Sequence, residues 1–129
     1  MIVVDSSALI AIALAEPETE SCMRALHNAE RVLISAATVT ETLIVAFGRE
    51  YEAPIRGIFD RFGLVVESVT EPRARAAADA YRRYGKGWHA AALNYGDCFS
   101  YALAIEYGCP LLYVGDDFRK TDIVSALAG

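Results

Sequence analysis

The sequence predicts a three-layer α/β/α protein with a central, mostly parallel sheet. Three observations carry that prediction. Four short apolar runs, at residues 2–4, 31–35, 64–66 and 111–114, have the length and character of parallel strands buried on both faces. Longer stretches whose apolar residues recur at helical spacing separate them, so strands and helices alternate. No internal repeat and no Gly-, Pro- or Ser-rich linker divides the chain, so a single domain over residues 1–129 is expected.

Taken in order, Ile2, Val3 and Val4 form a first strand that stops at Asp5. Ser6 or Ser7 is placed to cap the apolar helix carrying Leu9, Ile10, Ile12, Ala13 and Leu14. Glu16-Pro17-Glu18 breaks it, and Pro17 suits the first turn of a second helix reaching about Ala29, with Cys22, Met23 and Leu26 inside. After the second strand, a helix from about Ala37 to Glu50 has Val39, Leu43, Ile44, Ala46 and Phe47 as its expected core face. Ile55, Ile58, Phe59 and Phe62 make one stripe of the next helix, over residues 53–62.

Beyond the third strand, Thr70 and Pro72 open a basic helix that ends near Tyr84. Residues 85–95 read as a connecting loop. Gly96-Asp97 then begins a helix expected to turn Cys98, Tyr101, Ala102, Leu103 and Ile105 inward and to stop at Gly108. The fourth strand runs into Gly115-Asp116-Asp117-Phe118, and Ile123 and Val124 are candidates for a minor edge strand.

The hydrophobic fraction of 54% against 22% charged excludes a disordered or low-complexity chain. No apolar run approaches the roughly 20 residues that span a bilayer, and no basic leader precedes an apolar segment, so neither a membrane anchor nor a signal peptide is expected. Cys22, Cys98 and Cys109 lack metal-type spacing and suit a reducing cytoplasm. The net charge of −5 is unevenly spread: Arg73, Arg75, Arg82, Arg83 and Lys86 outnumber Glu71 and Asp79 within residues 71–89. A basic rim around an acidic pocket fits that asymmetry, as does an ordinary solvated helix face.

The chemistry lies in the acids. Asp5 and the Asp116-Asp117 pair follow strands, Asp97 opens a helix, and Glu41 falls in the first two turns of another. Strand carboxyl ends and helix N-termini share one edge of a parallel α/β sheet, where ligands bind. Carboxylates gathered there repel one another unless a cation such as Mg²⁺ or Mn²⁺ relieves them, and such an ion activates water for displacement at phosphorus. Each acid also has an ordinary reading. Asp5 and Asp97 serve as helix caps or first-turn acids, Glu41 as a partner for Arg49 or Lys120, and Asp116-Asp117 as a turn.

On its motifs the chain resembles the PIN-domain ribonucleases, and specifically the VapC toxins of toxin–antitoxin modules. The resemblance spans nearly the whole chain. It rests on Ile2-Val3-Val4-Asp5-Ser6-Ser7-Ala8-Leu9, on Ser35-Ala36-Ala37 with Glu41, and on Tyr84-Gly85-Lys86-Gly87. The segment from Leu93-Asn94-Tyr95-Gly96-Asp97-Cys98 through Tyr101-Ala102-Leu103-Ala104 is its most specific part, joined by Gly115-Asp116-Asp117-Phe118 and Thr121-Asp122-Ile123. The resemblance implies a PIN-like fold, Mg²⁺-dependent cleavage of structured or single-stranded RNA of the tRNA and rRNA class, a homodimer, and neutralisation by a VapB antitoxin.

By position, Asp5, Glu41 and Asp97 match the family's three central acids, and the Gly-x-Asp-Phe pattern favours Asp117 over Asp116 as the fourth. Ser6 or Ser7 matches a hydroxyl position that orients the first acid or a water beside it. Arg82, Arg83, Lys86 and Lys120 become candidates for gripping phosphates, and Trp88 or Tyr95 for stacking a base, although packing is the favoured role for Tyr95. The family usually has Arg-His-Pro where this chain has Trp88-His89-Ala90, so no basic contact carries over to position 88. His89 is read as structural or as an RNA contact.

Competing readings are a receiver domain or aspartate phosphatase, and a non-catalytic RNA- or partner-binding module. Ser7 stands where such a phosphatase needs a second aspartate, and only Lys120 could serve as a receiver's late lysine.

Overall fold

Strand β1 (Ile2–Val4) leads into α1 (Ser6–Ala13) and α2 (Thr19–Asn28) in the computed structural model, which describes residues 1–127. Then come β2 (Val32–Ser35), α3 (Ala36–Arg49), α4 (Glu52–Phe62) and β3 (Val65–Glu67). The remaining elements are α5 (Glu71–Tyr84), α6 (Tyr95–Tyr107) and β4 (Leu111–Leu112). The sheet has the order β3-β2-β1-β4, and every neighbouring pair is parallel.

Alternation along the strands builds the layers. Val3, Leu33 and Leu111 point to one face, where they pack with Ala77 and Ala80 of α5 and with Cys98, Tyr101 and Ala104 of α6. Ile2, Val4, Ile34 and Leu112 point to the other face, against Leu9, Cys22, Leu26, Ala46 and Ile55 from α1 to α4. Burying one such aliphatic side chain stabilises the fold by about 1.5–3 kcal/mol relative to exposure. Two helical layers therefore hold strands too short to persist alone.

This topology locates the site. β2 and β3 follow β1 to one side of the sheet, whereas β4 lies on the other side of β1. Connections diverge between β1 and β4, and a crevice opens outside their carboxyl ends.

Several local expectations are corrected. Asp5, not Ser6 or Ser7, caps α1: its carboxylate accepts from the Ser7 backbone N–H at 3.1 Å. α2 starts at Thr19, so Pro17 sits in the preceding turn rather than within the helix. The buried stripe of α3 is Thr38, Thr42 and Ala46, while Ile44 and Phe47 are 64% and 59% exposed. Threonine is tolerated inside because both hydroxyls are bonded, Thr42 to the Thr38 carbonyl at 2.7 Å and Thr38 to Ser100 at 3.1 Å. In α6, Ile105 is exposed and the inner face instead includes Asp97, Ser100 and Ala104. β4 lasts only two residues, because the Val114 N–H turns away to the Ser7 hydroxyl at 3.1 Å. The segment after it adds one parallel bridge, Leu111 to Ser125, in place of an edge strand.

Candidate active site

Local sequence aims each acid at the crevice. Asp5 leaves β1 in an extended conformation and caps α1, so its carboxylate lies at the strand's carboxyl end, 2% exposed. Ser100, from the middle of α6, donates to Asp5 Oδ1 at 2.6 Å, while the Ser7 N–H holds Oδ2. Glu41 reaches over from the second turn of α3 and accepts from the Ser6 hydroxyl at 3.0 Å. Asp97 is the third residue of α6. It forms a reciprocal capping box with Asn94, in which Asp97 Oδ2 accepts from the Asn94 N–H and Asn94 Oδ1 from the Asp97 N–H, each at 3.0 Å.

Gly96 makes the approach of Glu41 possible. A Cβ at that position would collide with the Glu41 carboxylate. The helix N-terminus itself favours an acid there, because its free amides carry partial positive charge.

Electrostatically the group is strained. Burial pushes Asp97 up to about 7, the charges of Asp5, Asp117 and Glu41 push the same way, and only the Asn94 N–H opposes them. Burial also raises Asp5 against the hydrogen bonds from Ser100 and Ser7. Glu41 is raised by burial and by Asp5, with the Ser6 hydroxyl opposing. Among the described residues, none of Asp5, Glu41 and Asp97 has an ion-pair partner.

Of the residues singled out from sequence, the structure gathers Asp5, Glu41 and Asp97, with Asp117 near enough to act on Asp97. Asp116 points elsewhere: its side chain is 86% exposed and pairs with Arg119 at 3.1 Å. Ser6 touches Glu41, whereas Ser7 supports Asp5 through its backbone and β4's exit through its hydroxyl. Among the described residues no three His, Cys, Asp or Glu side chains converge closely enough to enclose an ion. The donor set nevertheless suits a hard divalent cation, being all carboxylate oxygen, crowded and without a countercharge.

The basic candidates are dispersed. Arg82 pairs with Asp79, and Arg83 lies over the Tyr84 ring at 4.9 Å and faces Asp122 at 3.8 Å. Lys86 lines a groove with Asn94 and Tyr95, and both it and Lys120 lack an ion pair among the described residues. Trp88 is exposed and donates its indole N–H to the Arg82 carbonyl. His89 Nδ1 accepts from the Ala91 N–H at 2.9 Å, which is a loop-holding role. Tyr95 was expected to pack inside but is 76% exposed, because as the first residue of α6 it faces away from the side on which Asp97 is buried, with its ring edge-on to Phe99 at 5.0 Å.

Sequence reasoning missed Ser100, Thr38 and Asn94. A signal existed for the first two. Both are hydroxyl residues standing at core positions of otherwise apolar helices, where an unbonded hydroxyl is costly.

A parallel sheet with buried acids at its carboxyl edge agrees with the family model that matches residues 2–124, that of the PIN domain. Ribonuclease VapC of Mycolicibacterium smegmatis is 44% identical over 126 residues, covering 95% of this chain and 98% of the relative. Ribonuclease VapC36 of Mycobacterium tuberculosis is 45% identical over 127 residues, covering 94% and 90%. The crystal structure of Mycobacterium tuberculosis VapC20, described as a sarcin–ricin-loop cleaving toxin, superposes with a TM-score of 0.76 at 19% identity, covering 96% of this chain and 97% of that one. A toxin–antitoxin complex from Klebsiella pneumoniae gives 0.73 at 17% identity, covering 99% and 98%. At those identities the two structures share the fold. The chain belongs to the PIN-domain family and, within it, to the VapC ribonucleases.

Proposed function

We propose that the chain, acting as one domain over residues 1–129, is the endoribonuclease toxin of a VapBC-type module. It hydrolyses phosphodiester bonds in structured or single-stranded RNA of the tRNA and rRNA class. One observation carries the reading: Asp5, Glu41 and Asp97 are drawn from separate elements into one partly or wholly buried, uncompensated acidic group beside Asp117. Uncompensated buried charge is retained where a ligand supplies the missing countercharge. The names of the relatives support RNA as the substrate.

Asp5, Glu41, Asp97 and Asp117 would hold Mg²⁺, with Mn²⁺ as a substitute. When bound, such an ion supplies an activated water and neutralises charge at phosphorus. The protein's own part is orientation. Ser100 and the Ser7 N–H fix both oxygens of Asp5, Ser6 fixes Glu41, and the capping box fixes Asp97. Of these basic candidates, Lys86 and Lys120 have no ion pair among the described residues and meet flanking phosphates, and Arg82 and Arg83 can exchange weak surface pairs for an RNA phosphate.

Two partners accompany this reading. A VapB-type antitoxin neutralises the toxin; that the Klebsiella pneumoniae neighbour is a toxin–antitoxin complex supports such a partner. A second copy of the chain covers the exposed Ile44, Phe47 and Tyr95; Ile44 and Tyr95 line one groove of about 400 Å³ between α3 and α6. No described helix is long and apolar enough to cross a membrane, and action on RNA in the cytoplasm follows from the proposed substrate. Incubating purified protein with total RNA, with and without EDTA, tests the function. Cleavage that EDTA stops and Mg²⁺ restores is expected, and cleavage indifferent to both would overturn it.

A further inference from the structure

Asp117 differs from the other three acids in having no regular element beneath it. It sits in the segment after β4, which runs from Tyr113 to the bridge at Ser125. Most ties in that segment are local: the Arg119 N–H to the Asp116 carbonyl, and the Thr121 N–H and hydroxyl to the Phe118 carbonyl. Its ends are tied to the body by the Val114 N–H to the Ser7 hydroxyl and by the Leu111 N–H to the Val124 carbonyl, and between those ends Phe118 and Asp122 contact the body. Phe118, 2% exposed, packs into the core cluster that holds Cys98 and Tyr101 of α6. Further on, the Tyr101 hydroxyl donates to Asp122 Oδ1.

The second contact has a consequence for the site. Tyr101 lies on α6 one turn beyond Asp97, with its ring buried and set edge-on to Tyr84 at 5.5 Å. Adjacent turns of a helix are rigidly spaced, about 5.4 Å apart. The same helix therefore presents Asp97 to the crevice and grips the segment carrying Asp117. Arg83 of α5 lies 3.8 Å from the other oxygen of Asp122, an exposed pair too weak to fix the segment.

We propose that Tyr101 and Asp122 are positioning residues that set Asp117 against Asp97, through the hydroxyl–carboxylate bond from α6 to the post-β4 segment. The inference rests on the reading of Asp117 as a member of the acidic site. Neither residue touches substrate. Their effect passes through Asp117 alone, which separates this role from general support of the fold.

The test compares Tyr101→Phe, Asp122→Ala, Asp122→Asn, Asp117→Ala and the double variant Tyr101→Phe/Asp117→Ala, all in the full chain. Mn²⁺ affinity is measured by calorimetry alongside RNA cleavage. Asp122→Asn keeps an oxygen that accepts from Tyr101 and should bind Mn²⁺ as the parent does. Tyr101→Phe and Asp122→Ala should each weaken Mn²⁺ about tenfold, the usual scale for groups that orient a ligand. In the Asp117→Ala background Tyr101→Phe should add nothing. Wild-type affinity in Tyr101→Phe, when Asp117→Ala binds poorly, would overturn the positioning role, and so would additive losses in the double variant. Wild-type affinity and cleavage in Asp117→Ala would instead overturn the reading of Asp117, and this inference with it. Should Tyr101→Phe fold poorly, the pair of Asp122 variants decides the matter alone.

Discussion

Ser100 donates its hydroxyl proton to Asp5 Oδ1 at 2.6 Å, joining residues 95 positions apart in the chain. Its only proton is thereby committed, so the 3.1 Å contact between Thr38 and Ser100 runs from the Thr38 hydroxyl to the Ser100 oxygen. A directed chain of hydroxyls thus links α3 and α6 to the acid at the end of β1. Replacing Ser100 with Ala leaves a buried carboxylate short of a donor, which costs about 1–3 kcal/mol. Urea unfolding of the metal-free protein should register that loss, and Ser100→Thr should recover most of it. An unchanged midpoint for Ser100→Ala would show that Asp5 does not depend on the bond.

Gly96 offers a case where fold and site part company. Alanine there would collide with the Glu41 carboxylate, the far end of a flexible side chain that can swing aside. Stability should stay level or rise by up to about 1 kcal/mol, since alanine suits a helix better than glycine. Cleavage should fall as far as in Glu41→Ala, because Glu41 loses its place and its bond to Ser6. Paired melting and cleavage assays check this; full activity in Gly96→Ala would show that the position of Glu41 does not matter.

The raised acids make stability depend on pH in an unusual direction. Asp97 rises from 3.8 to about 7 on folding, so in between the folded chain binds more protons than the unfolded one. The stabilisation from holding that proton is complete below the unfolded value and disappears as pH climbs through about 7. The melting temperature of the EDTA-treated protein should therefore fall between pH 5 and pH 8, and Asp97→Asn should flatten the slope. Added Mg²⁺ should raise the melting temperature more at pH 8, where the carboxylates are ready to bind. A melting temperature that climbs from pH 5 to pH 8 in the parent and in Asp97→Asn alike would contradict this.

Ile44 and Phe47 are exposed on α3, and Ile44 shares a groove with the exposed Tyr95 of α6. Exposed side chains of this size contribute little to a monomer's own stability but much to an interface between copies. Ile44→Glu should yield a monomer by light scattering with an intact far-ultraviolet spectrum. A wild-type chain that is monomeric at high micromolar concentration would remove the dimer from the proposal.

The sheet was legible because its signal is strong and local. Residues 2–4 and 32–34 are unbroken apolar runs, and Asp5 ends the first of them just where a parallel strand delivers a ligand group. Asp116 and Asp117 could not be separated by spacing and were separated only by the family pattern. The structure adds a physical distinction, since Arg119 engages the first and the second acts on Asp97. α3 misled because periodicity counts apolar residues. Its true inner face uses Thr38 and Thr42, whose burial depends on partners more than sixty residues away or on its own backbone. Tyr95 misled for the converse reason: a large aromatic reads as core, but as the first residue of α6 it is 76% exposed while Asp97, two residues on, is buried. Tertiary hydrogen bonds such as Ser100 to Asp5 leave no periodic trace at all.

The most direct measurement is single-turnover cleavage of a defined RNA by the parent and by Asp97→Asn, across a Mg²⁺ titration that starts from EDTA. Asp97→Asn keeps the size of the side chain and an oxygen for the Asn94 N–H, so the fold should persist. The parent should be inert in EDTA and gain activity with Mg²⁺. Asp97→Asn should stay at least a hundredfold slower at every concentration, the scale expected when a group that stabilises charge at the reacting centre is removed. Equal rates for the two proteins, or cleavage that persists in EDTA, would contradict a catalytic site built on these acids.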